Sequence, residues 1–159
     1  MKKMFSDEFK ATAAMRVFGI LKVPMIYYCR PKVVSITNSH AEVKLKLRRR
    51  TKNHLNSMYF GTLAVGSDIT CGVLAMKKIR ESNKNISLIF KDFLANFKMR
   101  AEGDVHFYCG DGEKIDQLVS LAVSTSERVN EKINITAKVP SISNEVVAEF
   151  SETLSLKQQ

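Results

Sequence analysis

The chain has 159 residues, of which 45% are hydrophobic and 26% charged, and it carries a formal net charge of +9. This balance excludes a disordered or fibrous chain and predicts one globular domain with a sizeable core. The positive excess favours an anionic partner, such as nucleic acid, an acidic membrane surface or a phosphate-bearing metabolite, without choosing among them.

The cysteines and the first residues bear on where the protein works. Cys29, Cys71 and Cys109 are odd in number and widely spaced, which argues against a disulfide framework and for a reducing compartment. Lys2 and Lys3 are soon followed by further charged residues, so the start of the chain does not resemble a secretory signal. We therefore expect a cytoplasmic protein.

A helix is predicted at the start of the chain, over residues 5–21. Ser6 is a suitable N-cap, Pro24 is expected to end the helix, and an apolar link over residues 25–28 follows. The apolar side chains that recur at helical spacing are Phe5, Phe9, Ala13, Val17, Ile20 and Leu21.

Alternating residues then predict two strands, joined by a turn at Asn38 and Ser39. In the second strand the charged residues Lys44, Lys46 and Arg48 alternate with apolar ones, which is typical of a solvated strand face. The apolar residues that define the opposite face are Val34, Ile36, Ala41, Val43, Leu45 and Leu47.

The stretch from Leu55 to Met76 has a single charged residue, the carboxylate Asp68. The stretch is apolar on all sides and predicts a helix surrounded by protein, over about Ser57 to Ile79 with Ser57 as the N-cap. Its length also matches the ~20 residues of a membrane span. A central acid costs roughly 2.5–3.5 kcal/mol on insertion, so we expect no membrane span.

The rest of the chain predicts four strands and one short helix, with a bulge near Lys91 and Asp92 in the first of these strands. One all-round apolar helix among strands with one apolar face fits an α+β fold in which an antiparallel sheet wraps around the helix. The elements, in order, are a long strand over residues 86–99, a strand over 105–109, a short helix over 115–122, and strands over 129–139 and 146–156.

Four residues of the long apolar stretch lie on one helical face. Gly61, Val65, Asp68 and Gly72 are spaced by four, three and four residues, and the face they form is small except for the acid. Gly61 and Asp68 are about 10 Å apart along a helix, too far to act on one carbonyl bound to a single subunit. If both are catalytic, the acid comes from a second subunit.

The segment NHLNSMYFGTLAVGSDITCG, residues 53–72, resembles the signature of hotdog-fold thioesterases of the phenylacetate-pathway type, and most of all their DUF4442 relatives. The segment FKMRAEGDV, residues 97–105, resembles the long strand and turn of that superfamily. The resemblance implies a single hotdog domain over residues 1–159, with the N-terminal helix of residues 1–24 packed on it. It also implies a homodimer, which could pair further into a tetramer.

The resemblance assigns catalytic roles by position. Asn53 matches a loop asparagine that orients the carbonyl or water, Gly61 a turn glycine whose neighbouring amides hold the thioester carbonyl, and Asp68 the helix acid that acts as base or nucleophile. Tyr59 stands where histidine is common and could donate its hydroxyl, and Phe60 replaces the first glycine of the turn. The substrate expected from the resemblance is an acyl thioester of coenzyme A or of an acyl carrier protein.

Substrate contacts are expected beside these residues and along the basic segment that precedes them. We expect no metal site, no bound cofactor and no nucleic-acid module, since the residue spacings typical of them are absent from the sequence. Three alternatives stay open. One is a protein that binds acyl-CoA or a fatty acid without turnover, and another is nucleic-acid binding, which rests on the net charge alone. The third is an Asp68 that is a satisfied polar residue at a dimer interface, hydrogen-bonded to hydroxyls such as those of Thr70 or Ser67. The expected substrate-binding residues are His54, Phe60, Arg49, Arg50 and Lys52.

Overall fold

Ten helices and strands follow one another in residues 6–159, the part of the chain that the computed structural model describes. Their order agrees with the sequence prediction except for one additional helix. In chain order they are α1 (Asp7–Leu21), α2 (Pro24–Cys29), β1 (Lys32–Ile36), β2 (Ala41–Leu45), α3 (Phe60–Ser82), β3 (Ile86–Phe97), β4 (Val105–Cys109), α4 (Gly112–Thr125), β5 (Val129–Lys138) and β6 (Val146–Gln158).

The strands form one six-stranded antiparallel sheet in the order β1-β2-β4-β5-β6-β3. The register of β3 against β6 shifts between Phe90 and Phe93, which confirms the bulge predicted near Lys91 and Asp92. A second shift between Val33 and Ser35 in β1 buries Val33 and exposes Val34, so the inward orientation predicted for Val34 is wrong.

The central helix α3 packs against β2, β4 and β5 of this sheet, and its 23 residues make it the longest helix described. A Cβ on Gly66 would lie 2.2 Å from the ring of Phe107 in β4, so only a glycine lets the helix approach the sheet this closely. Leu74 and Cys71 on the same side are fully buried. This helix-in-sheet arrangement is the hotdog fold.

The predicted start of α3 at Ser57 is wrong. Helix α3 begins at Phe60, and its N-cap residue is Tyr59. The backbone carbonyl of Ser57 accepts a hydrogen bond from Asn53 N–H at 2.8 Å. Because this bond closes a turn, Ser57 belongs to the preceding loop and cannot cap the helix.

Helix α1 lies beside β1 and begins as predicted, with Ser6 Oγ accepting the N–H of Phe9 at 3.2 Å. Pro24 follows α1 and lies in the first turn of α2, a helix in the place where the sequence predicts only an apolar link. Proline suits that position because the first helical N–H groups have no partner in the helix anyway. A small cluster joins both helices to the body of the protein through Met15, Ile26, Val33, Val43 and Ile69.

The predicted apolar stripe of α1 lies on the outside of the molecule. Val17, Ile20 and Leu21 are exposed, whereas Met15 and Gly19 are buried against the body. Phe5 lies outside the described residues. Within residues 6–159, no helix is long and apolar enough to cross a membrane.

Candidate active site

The loop before α3 is held together by the side chain of Asn53. Its carbonyl oxygen accepts hydrogen bonds from the backbone N–H groups of Leu55 at 2.9 Å and Ser57 at 3.2 Å, and its amide donates to Ser57 Oγ at 3.1 Å. Asn56 has left-handed backbone angles, with φ 61°, inside this loop. Asn53 therefore organises the loop, and its contact with a substrate stays a prediction.

The same loop fixes the first turn of α3. The N–H of Tyr59 donates to the carbonyl oxygen of Thr51 and the N–H of Met58 to that of Ala101, both at 2.8 Å. No side chain of the described residues caps the helix at Tyr59. The N–H groups of the first turn, at the positive end of the helix dipole, are therefore left for solvent or a ligand.

Tyr59, Phe60 and Gly61 lie together at this helix start. A Cβ on Gly61 would lie 2.5 Å from Tyr59 Cε1, so the tyrosine ring covers the glycine directly. The ring of Phe60 lies 4.7 Å from that of Tyr59, and both rings are exposed. The structure thus brings together one substrate-binding and two catalytic residues predicted from the sequence.

A row of aromatic rings leads from this point across the sheet. The ring centroid of Phe60 is 6.4 Å from that of Phe97 at the end of β3. Phe97 is 6.1 Å from Phe150 in β6, and Phe150 is 6.2 Å from the buried ring of Phe107. These rings form an apolar path from the exposed start of α3 to the buried core.

Asp68 lies two turns along α3 from Gly61 and is half-buried. Burial raises the pKa of its carboxyl group. Within residues 6–159 no hydrogen bond or ion pair reaches this carboxylate: the hydroxyl of Thr70 donates to the carbonyl oxygen of Gly66 at 2.7 Å, and that of Ser67 donates elsewhere. Neither hydroxyl therefore satisfies Asp68 within its own chain, and a role for Asp68 at a dimer interface stays a prediction.

A second acid, Glu152 in β6, lies beside this part of α3. It is 1% exposed, and Ser67 Oγ donates a hydrogen bond to its Oε1. Its other oxygen, Oε2, is buried without a hydrogen-bond partner in the described chain. Burial raises the pKa of Glu152 to about 7, against the hydrogen bond from Ser67 and with help from the negative charge of Asp68.

Sequence reasoning missed Glu152, although the sequence contains its signal. Ala148, Phe150, Leu154 and Leu156 define the buried face of β6, and Glu152 falls in the same alternation. An acid in the buried phase of a strand is expensive unless it is bonded or neutral. The same cost applies to Asp68 in its apolar stretch.

The basic residues gather at a different place. A groove of about 320 Å³, here called the basic groove, lies where α1 and α2 meet β1 and β2. Arg50 is one of its lining residues, and Arg50 Nη1 donates to the carbonyl oxygen of Tyr28 at 3.3 Å while its guanidinium lies 5.5 Å from the centre of that tyrosine ring. The other cations of the groove are Arg16, Arg30, Lys32, Lys44, Lys46 and Arg48.

The remaining predicted substrate contacts are exposed and lie outside this groove. His54 is on the loop before α3, and Lys52 Nζ donates to Asn56 Oδ1 in that loop at 2.8 Å. Arg49 is exposed and lies in sequence between Arg48 and Arg50, two residues that line the groove. Within the described part of the chain, no group of three or more histidine, cysteine or acidic side chains is placed to hold a metal ion.

A match to a protein family identifies the relatives of this chain. The sequence profile of DUF4442, described as a domain of unknown function, matches residues 11–156. The chain belongs to the DUF4442 family. Among curated proteins, none matches this DUF4442 chain in sequence.

Solved structures resemble this DUF4442 protein over nearly its whole length. One is a protein of unknown function from Pseudomonas aeruginosa, described as a probable thioesterase, with a TM-score of 0.77, 20% identity and coverage of 93% of this chain and 96% of that one. A protein of unknown function from Chlorobaculum tepidum has a TM-score of 0.82 at 10% identity, covering 96% and 97%. A mutant thioesterase from Pseudomonas aeruginosa has a TM-score of 0.68 at 10% identity, covering 99% of this chain and 98% of that one. At these identities the likeness shows the fold alone.

Proposed function

We propose that this protein hydrolyses acyl thioesters, with coenzyme A as the thiol carrier, at a site shared by two subunits. The observation that carries the proposal is Asp68: a half-buried carboxylate that no hydrogen bond or ion pair from residues 6–159 satisfies, on the helix whose first turn is uncapped. A carboxylate in this state is available as a base. The fold shared with proteins named as thioesterases supports the same conclusion.

The chemistry needs an oxyanion site and a base. The N–H groups near Gly61 would donate hydrogen bonds to the thioester carbonyl oxygen and stabilise the negative charge that forms on attack. Asp68 of the partner subunit would take a proton from water as the water oxygen bonds to the carbonyl carbon. The carbon–sulfur bond then breaks, and the thiolate leaves with the proton returned by Asp68. The alternative is that the Asp68 carboxylate itself attacks the carbonyl carbon. The carbon–sulfur bond breaks and the thiolate leaves, which gives an enzyme-bound anhydride, and water then cleaves the anhydride to the free acid and the Asp68 carboxylate.

Two surfaces support a second subunit. A Cβ on Gly72, one turn after Asp68, would have no atom within 4 Å, so this face of α3 is open in the single chain. Strand β3 is an edge of the sheet, and it exposes Ile89, Phe93 and Leu94. A long apolar edge strand is a site for pairing with another chain. Dimerisation there would cover these exposed apolar side chains.

The substrate contacts follow from this arrangement as proposals. His54 and Phe60 flank the helix start, where the acyl group would be held, and the apolar rings beyond Phe60 would line its path. Arg49, Arg50 and Lys52 remain candidates for the phosphates of coenzyme A. Tyr59 would donate its hydroxyl to the carbonyl or to the attacking water.

The test is a panel of acyl-CoA substrates, with one acyl carrier protein thioester, assayed for thiol release. We expect turnover by the wild type and a loss of about 10²-fold or more in kcat for Asp68→Asn, because the base is removed while size and folding are kept. Glu145→Gln, in an exposed loop, is the matched control and should keep the wild-type rate. Undiminished hydrolysis by Asp68→Asn would sink this mechanism.

A second candidate is binding of acyl-CoA or a fatty acid without hydrolysis. It is favoured by the Tyr59 ring, which covers Gly61 where an open turn would admit a carbonyl group. Titration calorimetry with the same acyl-CoA panel distinguishes the two functions. Saturable binding with no thiol release across the panel supports the binding protein, and measurable turnover excludes it.

A further inference from the structure

Helices α1 and α2 expose an unusually apolar tip, defined here as residues 17–28. In a helix packed on a protein, the most apolar stripe normally faces the core. Here Val17, Ile20 and Leu21 are 53%, 55% and 71% exposed. Other exposed apolar side chains of this tip are Phe18, Val23, Met25, Tyr27 and Tyr28. Contiguous exposed apolar surface of this kind marks an interaction site.

The basic groove adjoins this tip. Arg16 of α1 and Tyr27 of α2 line the groove, so the two helices that carry the apolar tip also form one wall of the groove. Seven cationic side chains line it, and no carboxylate of the described residues does. Lys44 has an acidic partner, Asp104 at 2.9 Å, which lies outside the groove. The like charges repel one another unless an anion screens them.

We propose that the apolar tip and the basic groove form one docking surface for membranes that carry anionic phospholipids. The tip would insert its aliphatic side chains below the headgroups, with Tyr27 and Tyr28 at the level of the interface, where tyrosine is favoured. The cations of the groove other than Arg50, which is a candidate for the phosphates of coenzyme A, would meet the lipid phosphates. The protein would thereby lie on the membrane surface without spanning it.

The charge distribution favours a membrane over a second copy of the chain. In a two-fold symmetric dimer, the same patch is used on both subunits. Contact through the apolar tip would therefore bring two basic grooves, each with seven cations, close to one another. That repulsion opposes self-association at this face, whereas an anionic lipid surface complements it. The proposal does not depend on thioester hydrolysis.

The experiment is vesicle flotation with the full-length protein. Mixed vesicles of phosphatidylcholine and phosphatidylglycerol in equal parts are compared with vesicles of pure phosphatidylcholine, each at low and high salt. We expect binding to the mixed vesicles only, weakened by salt because exposed charges are screened. Absence of binding to mixed vesicles at low salt would overturn the proposal.

Variants separate the two parts of the surface. Leu21→Ser should weaken binding to mixed vesicles about tenfold, since it removes an inserted aliphatic side chain. Arg30→Gln should weaken it about fivefold, the effect of one cation near an anionic membrane. The matched controls, Ile142→Ser and Lys157→Gln, change exposed residues far from the tip in sequence and should bind as the wild type does.

Two results would contradict the docking surface. One is binding that Leu21→Ser and Arg30→Gln leave equal to that of the controls. The other is a lower molar mass for Leu21→Ser than for the wild type in light scattering. That result would show that the tip is an interface between copies of the chain. Circular dichroism confirms that each variant is folded, and Val17→Ser, an independent change of an exposed residue, replaces Leu21→Ser if that variant unfolds.

Discussion

Glu152 is held in the core by a single hydrogen bond, from the hydroxyl of Ser67, and the second carboxylate oxygen has no partner in the described chain. Ionising this group leaves a charge in apolar surroundings, which explains why its pKa rises from 4.5 to about 7. The folded protein therefore holds a proton on Glu152 at pH values where the unfolded chain has released it. When the native state binds more protons than the unfolded state, raising the pH lowers the free energy of unfolding.

This residue predicts a specific dependence of stability on pH. Between pH 4.5 and about 7 the wild type should lose stability through Glu152 as the pH rises. A shift of this size corresponds to a loss of up to about 3 kcal/mol. Glu152→Gln keeps an oxygen that accepts the Ser67 hydroxyl and cannot ionise. The variant should match the wild type near pH 4 and exceed its stability above pH 7.

The measurement is the free energy of unfolding by denaturant at several pH values. Asp68, whose pKa is raised in the same direction, remains in the variant and contributes its own slope. Glu145→Gln is the control, since its carboxylate is exposed. Equal pH slopes for wild type and Glu152→Gln would show that Glu152 does not carry the proton.

At the residue scale the sequence reveals part of the site. A lone charge in an apolar run draws attention to Asp68, and the buried phase of β6 contains the same kind of signal for Glu152. The contact between Ser67 and Glu152 joins residues 85 positions apart. No local pattern specifies such a pair, because it depends on which strand lies opposite which turn of the helix.

At the element scale, the close approach of α3 to the sheet depends on a glycine. A Cβ on Gly66 would lie 2.2 Å from Phe107 Cζ, and this ring is fully buried and cannot move aside freely. Gly66→Ala gains up to about 1 kcal/mol of helix propensity. We expect a net destabilisation of about 1–3 kcal/mol all the same, since overpacking a tight core outweighs that gain.

Gly72→Ala is the matched control for this prediction. It is on the same helix, and its added methyl group would meet no atom of the chain within 4 Å. Within the single chain it should leave stability unchanged or raise it by up to about 1 kcal/mol. Denaturant unfolding of both variants measures the difference. If Gly66→Ala proved as stable as Gly72→Ala, the helix would not be limited by contact with Phe107.

The sequence predicts most elements but not which faces they bury. Periodicity groups Val17 and Leu21 on one stripe of α1 without showing whether that stripe faces the sheet. The buried face contains Gly19 instead. A Cβ at this position would lie 2.7 Å from the backbone nitrogen of Tyr27 in α2, so the two helices can pack this closely only at a glycine. Helix α2 itself was missed, and with it the contact that selects this face.

At the scale of the whole molecule, the sequence pattern does not predict the order of the strands in the sheet. Alternation identifies a strand and its buried face, yet it does not show that β3 pairs with β6 at the far end of the sheet. That placement leaves two edges with different exposure. Edge strand β1 has α1 packed beside it. The 12-residue strand β3 instead exposes four large apolar side chains, those of Ile89, Phe93, Leu94 and Phe97.

The exposed edge of β3 predicts self-association and ties it to activity. Leu94, 68% exposed on this strand, should be covered in a dimer that pairs two β3 edges. Leu94→Lys puts a charge on that edge and should shift the protein from dimer to monomer. Because the proposed mechanism takes Asp68 from one subunit and the helix start from the other, acyl-CoA hydrolysis should fall in parallel with the dimer fraction.

Sedimentation equilibrium over a dilution series, with thiol release measured at the same concentrations, tests both parts of this prediction. Ile142→Lys is the control, since it adds the same charge at an exposed loop residue away from β3. Leu94→Lys that keeps the wild-type mass would place the dimer contact elsewhere. A monomeric Leu94→Lys variant with full hydrolysis would show that one chain contains the complete site, and Asp68 would then act on its own helix face.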